Sequence, residues 1–169
     1  MNDLGLKAVA GLRVVLGSAF LYAGLEKLGA TTPFSAAGFL TKGTAGALPD
    51  SVKGAVVNPS HDVWVSIGSN AGLVSLIDIA VVAGEVAIGA CLILGLFTRF
   101  SAILGAVMMG LFTVAAWSFA NGPFNETFIY AAVAVFLALA NAGVPYGLDA
   151  RIPFLRRDPP VAAPLAATA

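Results

Sequence analysis

Three charged side chains sit inside long apolar stretches of this sequence: Arg13, Asp78 and Glu85. A lone charge at membrane depth costs about 3 kcal/mol, so such residues pair with each other or mark a site. With the first apolar stretch centred near Gly17, Arg13 lies about 6 Å from its midpoint at 1.5 Å per residue. Glu85 lies near the midpoint of the second stretch, and the two are expected to pair. The pair is either a structural ion pair or a proton-handling carboxylate beside a substrate. Asp78 and Glu85 are seven positions apart and share a helix face with Gly89. Lys27, with Glu26 beside it, is the expected partner of Asp78. That face would form a polar track toward mid-membrane, with Tyr22 and Ser18 on the stripe leading from Glu26. Tyr130 follows Glu126 by one turn on the last helix.

Metal and redox ligands are scarce. The chain has one Cys, Cys91, and one His, His61. It cannot form an internal disulfide, has no Cys-x-x-Cys, and cannot by itself ligate a bis-His haem, an iron–sulfur cluster or a His/Cys zinc ion. No Gly-x-Gly-x-x-Gly joins a strand to a helix, so a bound nicotinamide or flavin is not suggested, and the scarcity of Cys and His argues against a metal in the chain. Any redox carrier must then be lipid-soluble or belong to a partner. His61, beside Asp62, reads as an interfacial residue. Cys91, within an apolar run, reads as an inert thiol. Asn125-Glu126-Thr127 reads as a helix cap.

The elements that would position these residues are membrane helices. Of 169 residues, 59% are hydrophobic and 11% charged, with nine basic residues balancing nine acidic ones and a mean hydropathy of +0.91. Soluble domains carry about 25% charged residues. That excludes an ordinary cytosolic enzyme, a disordered chain and a nucleic-acid binder. Four stretches have the length and apolarity of spans, at about 5–28, 71–97, 100–120 and 126–143. The expected fold is all-α: a four-helix transmembrane bundle over 1–149. A long extracytoplasmic segment joins helices one and two, and a disordered cytoplasmic tail occupies 150–169. Arg13 interrupts the first run and no cleavage site follows it, so that run is expected to be retained.

Lys7, Arg99, Arg151, Arg156 and Arg157 fall on one side, and Lys27, Lys42 and Lys53 on the other. The excess points to a multi-pass protein of the cell membrane with both termini cytoplasmic. Within the outer segment, 60–69 reads as a short amphipathic helix. The glycines at 11, 17, 24, 84, 89, 105 and 110 read as helix-packing positions. They could instead make room for a flat ring lined by Met108, Met109, Phe112 and Trp117.

Several pieces of the chain resemble the DoxX/DoxD membrane-protein family. They are the Arg within GLRVVLGSAFLYAGLEKL (11–28), the G-x-x-K at Gly24–Lys27, Glu85 ahead of L-x-L-G-L-F-T-R, and the closing Y-G-L-D. The resemblance implies a four-helix bundle and a role near respiratory redox chemistry. DoxD-like members are small membrane subunits of thiosulfate:quinone oxidoreductase. For this chain it implies a quinone, a second subunit or soluble redox partner, and surrounding lipid. In that reading Glu85, Arg13 and Asp78 handle protons, and Tyr22, Glu26, Lys27 and Tyr130 line the quinone. Two other readings are a non-catalytic anchor or scaffold for a redox or stress-response complex, and a small proton-coupled transporter.

Overall fold

The computed structural model describes residues 3–45, 58–117, 124–144 and 146–154, and they contain α-helices and short 3₁₀ turns but no strand. Six helices occur among them: α1 (Asp3–Gly29), α2 (Ala37–Thr41), α3 (His61–Gly68), α4 (Ala71–Leu94), α5 (Thr98–Ala115) and α6 (Glu126–Leu139). Single 3₁₀ turns cover Gly43–Ala45 and Leu148–Arg151. Helices α1, α4 and α5 are long and apolar enough to cross a membrane, while α6 is apolar but has 14 residues. The second expected span is trimmed at its C-terminal end, the third starts two residues earlier than expected and ends at Ala115, and the fourth is trimmed at its C-terminal end.

Each boundary has a local cause. Asn70 caps α4 by accepting from the amide of Leu73. Gly95, at φ 65°, ends α4 three residues before the expected limit, with the amide of Leu96 donating to Cys91 and that of Gly95 to Leu92. This left-handed cap satisfies carbonyls that would otherwise face lipid. Helix α5 ends at Ala115, where the side-chain amide of Asn58 donates to the carbonyls of Val114 and Ala115. Helix α6 starts at the expected cap, since Asn125 accepts from the amide of Phe128. The tail expected from residue 150 is a 3₁₀ turn up to Arg151, and 155–169 lie outside the described residues.

Packing follows a seam between antiparallel α1 and α4 and a second between antiparallel α5 and α6. Leu16, Phe20, Ile88, Leu92, Ala102, Met109, Ala134 and Leu137 form the shared core. Met109 is buried there, and Met108 and Phe112 pack against it, so these side chains fill the bundle. In the connection between α1 and α4, labelled the outer segment after the expected topology, α2 and α3 pack together on the start of α4, through Ala36, Leu40 and Val74 with Phe34, Trp64 and Ile67 around them. The expected short helix near 60–69 is α3. His61 uses its Nδ1 to bond the hydroxyl of Thr44 at 2.8 Å.

Three glycines bring α1 and α4 into backbone contact. A Cβ on Gly17 would meet Leu92, one on Gly24 would meet Val86, and one on Gly89 would strike the backbone of Leu21. Where lipid supplies little drive for helices to associate, such close approach carries the packing. Gly11 and Gly110 are different, because a Cβ there meets nothing within 4 Å. We expect Gly89→Ala to lower stability by about 1–3 kcal/mol through overpacking, and Gly11→Ala to cause no loss. Thermal unfolding of both variants in detergent checks the contrast.

Candidate functional site

The side chains singled out in the sequence divide between two clusters, one at each end of the α1–α4 seam. The outer cluster is centred on Glu85, which is 3% exposed. The Nζ of Lys27 donates to both its carboxylate oxygens, at 2.9 and 2.8 Å. A helical side chain leans toward its own N-terminus, and Lys27 does so, also donating to the carbonyl of Ala23 at 3.3 Å. Its ammonium lies 5.5 Å from the centre of the Phe34 ring, within range of a cation–π attraction. Phe34 belongs to the stretch just after α1, so the outer segment covers the pair. Lys27 keeps about a quarter of its side chain exposed, against 4% for Glu85.

The inner cluster is centred on Arg13, which is 2% exposed. One guanidinium nitrogen donates to the carbonyl of Ala142 at 2.7 Å and the other to that of Tyr146 at 3.2 Å. Asp149 faces it electrostatically. The Asp149 carboxylate itself caps α5, accepting from the amides of Phe97 at 2.7 Å and Thr98 at 2.9 Å. Its own amide donates to Gly95 at 2.8 Å. Gly95, Gly143 and Gly147 crowd this point: a Cβ on Gly95 or Gly147 would run into the Arg13 guanidinium, and one on Gly143 into Asp149. Phe97, Asn141 and Tyr146 have positive φ here, at 48°, 52° and 57°. Such backbone is uncommon for residues with a Cβ and is held by its surroundings. The Tyr146 hydroxyl donates to Asp3 at 3.0 Å, and that bond raises its pKa.

This geometry corrects the expected pairings. Arg13 does not meet Glu85. In the register set by the glycines, Gly24 faces Glu85 whereas Gly95 faces Arg13, so the two charges lie about 16 Å apart along α1 at 1.5 Å per residue. Lys27 pairs with Glu85 and not with Asp78. Asp78 instead accepts the amide of Ala36 at 2.7 Å, which fastens the entry of α2 to α4. Tyr22 is 71% exposed, and Glu26 and Ser18 are exposed too, on a side of α1 turned away from the seam. Tyr130 is 38% exposed on α6, which packs on α5. Of the residues expected around Glu85, the structure brings Lys27 alone into contact with it.

Asp149, Thr98 and the inner glycines were missing from the expected site. Their signal was present in the L-G-L-F-T-R and Y-G-L-D pieces, which converge on the Arg of α1. Among the described residues no group of three His, Cys, Asp or Glu side chains could hold a metal ion.

A sequence profile of the DoxX family matches residues 8–121. That is well over half of the chain, which therefore belongs to the DoxX family and is an integral membrane protein of it. No curated protein and no solved structure matches the chain.

Removing one partner of a buried pair strands the other charge, at a cost of about 3–5 kcal/mol when both are fully enclosed. The partial exposure of Lys27 places this pair at or below the lower end. We expect Lys27→Met and Glu85→Gln each to lower stability and the double variant to lose less than their sum, as read from a thermal double-mutant cycle. Gly143→Ala, which forces a methyl group into the Asp149 carboxylate, is expected to prevent accumulation of the folded protein, as read by size-exclusion chromatography in detergent.

Proposed function

We propose that this DoxX-family chain is the membrane subunit of a quinone-linked oxidoreductase, and that Lys27 and Glu85 together hand protons to the quinone. The observation that carries this reading is the identity of Glu85's partner. Arginine holds its proton permanently, whereas lysine can give its proton up. A lysine–glutamate pair can therefore exist as ammonium and carboxylate or as amine and carboxylic acid. Reduction of a quinone consumes two electrons and two protons. The electrons would come from a donor or redox partner outside this chain. The protons would arrive through the exposed quarter of Lys27 and be replaced from water at the outer surface. Arg13, in this reading, fixes the helices and takes no part in proton transfer.

The resemblance to DoxD-like proteins supports thiosulfate as the donor. The basic residues support an orientation with the Arg13 end in the cytoplasm, because Lys7, Arg99 and Arg151 all lie there. A second reading, a non-catalytic anchor, has support from Asn58 and Asp78. These two side chains bond the outer segment to α5 and α4, and so build a fixed outer platform on which a redox partner could dock.

The test is reduction of a short-chain quinone by thiosulfate, with purified protein in lipid vesicles. The expected result is turnover in the wild type and at least a tenfold loss in Glu85→Gln, with Arg151→Gln unchanged. Full activity in both Glu85→Gln and Lys27→Met would end the proton-transfer role. An inactive wild type that captures a soluble redox protein on cross-linking would favour the anchor.

A further inference from the structure

Helices α5 and α6 close tightly at one end and part at the other. Near the outer end the hydroxyls of Thr113 and Thr127 lie 2.9 Å apart and bridge the two helices. Toward the Arg13 end they leave a groove of about 380 Å³. Its walls are Ile103 and Val107 on α5 and Val135 and Leu139 on α6, with Ala106 and Ala138 between them. The two alanines explain the gap, since larger side chains at facing positions of an antiparallel pair would fill it. Ile103, Val107, Val135 and Leu139 are each between 46% and 78% exposed, so the groove opens sideways to the lipid. From Arg99 to Val107 it runs about 12 Å along α5 at 1.5 Å per residue.

Arg99 stands at the end of this apolar channel, one residue into α5 and exposed. Among the described residues no acid forms an ion pair with it. Asp149 is committed to the amides of Phe97 and Thr98 and faces Arg13. The one acid on α6, Glu126, is at the far end of that helix. An apolar trough that ends on an uncompensated guanidinium matches a molecule with a hydrocarbon chain and an anionic head.

We propose that the α5–α6 groove is a binding site for an anionic phospholipid, whose acyl chain lies between Ala106 and Ala138 and whose phosphate is met by Arg99. Guanidinium and phosphate form short, charge-assisted hydrogen bonds, and arginine's planar fork fits phosphate oxygens in pairs. The α5 amides do not compete for the phosphate at this end, because Asp149 already occupies those of Phe97 and Thr98. The site is independent of the redox reading, since it uses neither Lys27 nor Glu85.

The probe is native mass spectrometry of the protein released from nanodiscs of phosphatidylcholine and phosphatidylglycerol in equal amounts. The wild type is expected to retain one phosphatidylglycerol per chain. Arg99→Gln should reduce its preference over phosphatidylcholine at least fivefold, Arg99→Lys should keep most of it, and Arg151→Gln should leave it intact. Val135→Phe, on the open wall, should reduce retention of both lipids. Equal retention of the two lipids by the wild type, or an unchanged preference in Arg99→Gln, would overturn the proposal. So would disulfide-linked dimers of Ile103→Cys in the same nanodiscs, since a second copy would then cover the groove.

Discussion

A guanidinium that can neither lose its proton nor reach water must be satisfied by the protein around it, and much of this fold is arranged to do that for Arg13. Its two nitrogens take the carbonyls of Ala142 and Tyr146, which follow the end of α6 and have no helical partner of their own. In hydrocarbon each of those carbonyls, left unpaired, would itself cost several kcal/mol. Bringing them to Arg13 requires the chain after α6 to turn back across the α4–α5 corner. The turn is possible because Gly95, Gly143 and Gly147 leave no side chain in the way, and because Asp149 then locks it by capping α5. Residues 13, 95–98, 142–144 and 146–149 thus form one unit, although they come from three separate regions of the sequence.

The same seam that carries Arg13 at one end carries Lys27 and Glu85 at the other, and the two cations have different chemical capacities. The inner one is permanently charged, almost fully buried and bonded to backbone. The outer one is titratable, partly exposed and bonded to a side chain. Gly17, Gly24 and Gly89 hold the helices in the register that keeps these clusters apart. A seam slipped by one turn would misplace both. The separation leaves the inner cluster enclosed by backbone and the outer cluster partly open through Lys27.

The helices were legible in the sequence because apolar length is a strong signal, and the DoxX pieces pointed to the residues that matter. The caps at Asn125 and the short helix after His61 were legible too, because their causes are local. The partners of the charges were not. Depth measured from the middle of each span placed Arg13 opposite Glu85, but the register is fixed by where small residues nest, and spacing along one helix does not reveal that. The cap of α5 was hidden for a related reason, since Asp149 lies about fifty positions from the amides it bonds. The stripe of Tyr22 and Glu26 misled because helical spacing identifies a face without saying whether it turns to protein or to lipid. The expected pairing of Lys27 with Asp78 fails because the Ala36 amide, forty-two positions away in sequence, claims that carboxylate.

The unequal helices have a mechanical consequence for the surrounding bilayer. At 1.5 Å per residue, α1 is about 40 Å long and α4 about 36 Å, whereas α5 is about 27 Å and α6 about 21 Å. The bundle therefore presents a thick flank and a thin one. A span shorter than the hydrocarbon thickness can be matched by thinning of the lipid beside it, at a modest cost per ångström, and α6 is the helix here to which that applies. A wedge of this kind gives the protein a preferred direction in the membrane plane, because neighbours of similar thinness can share one compressed zone. It would also draw shorter-chain lipids to the α5–α6 flank, independently of any headgroup.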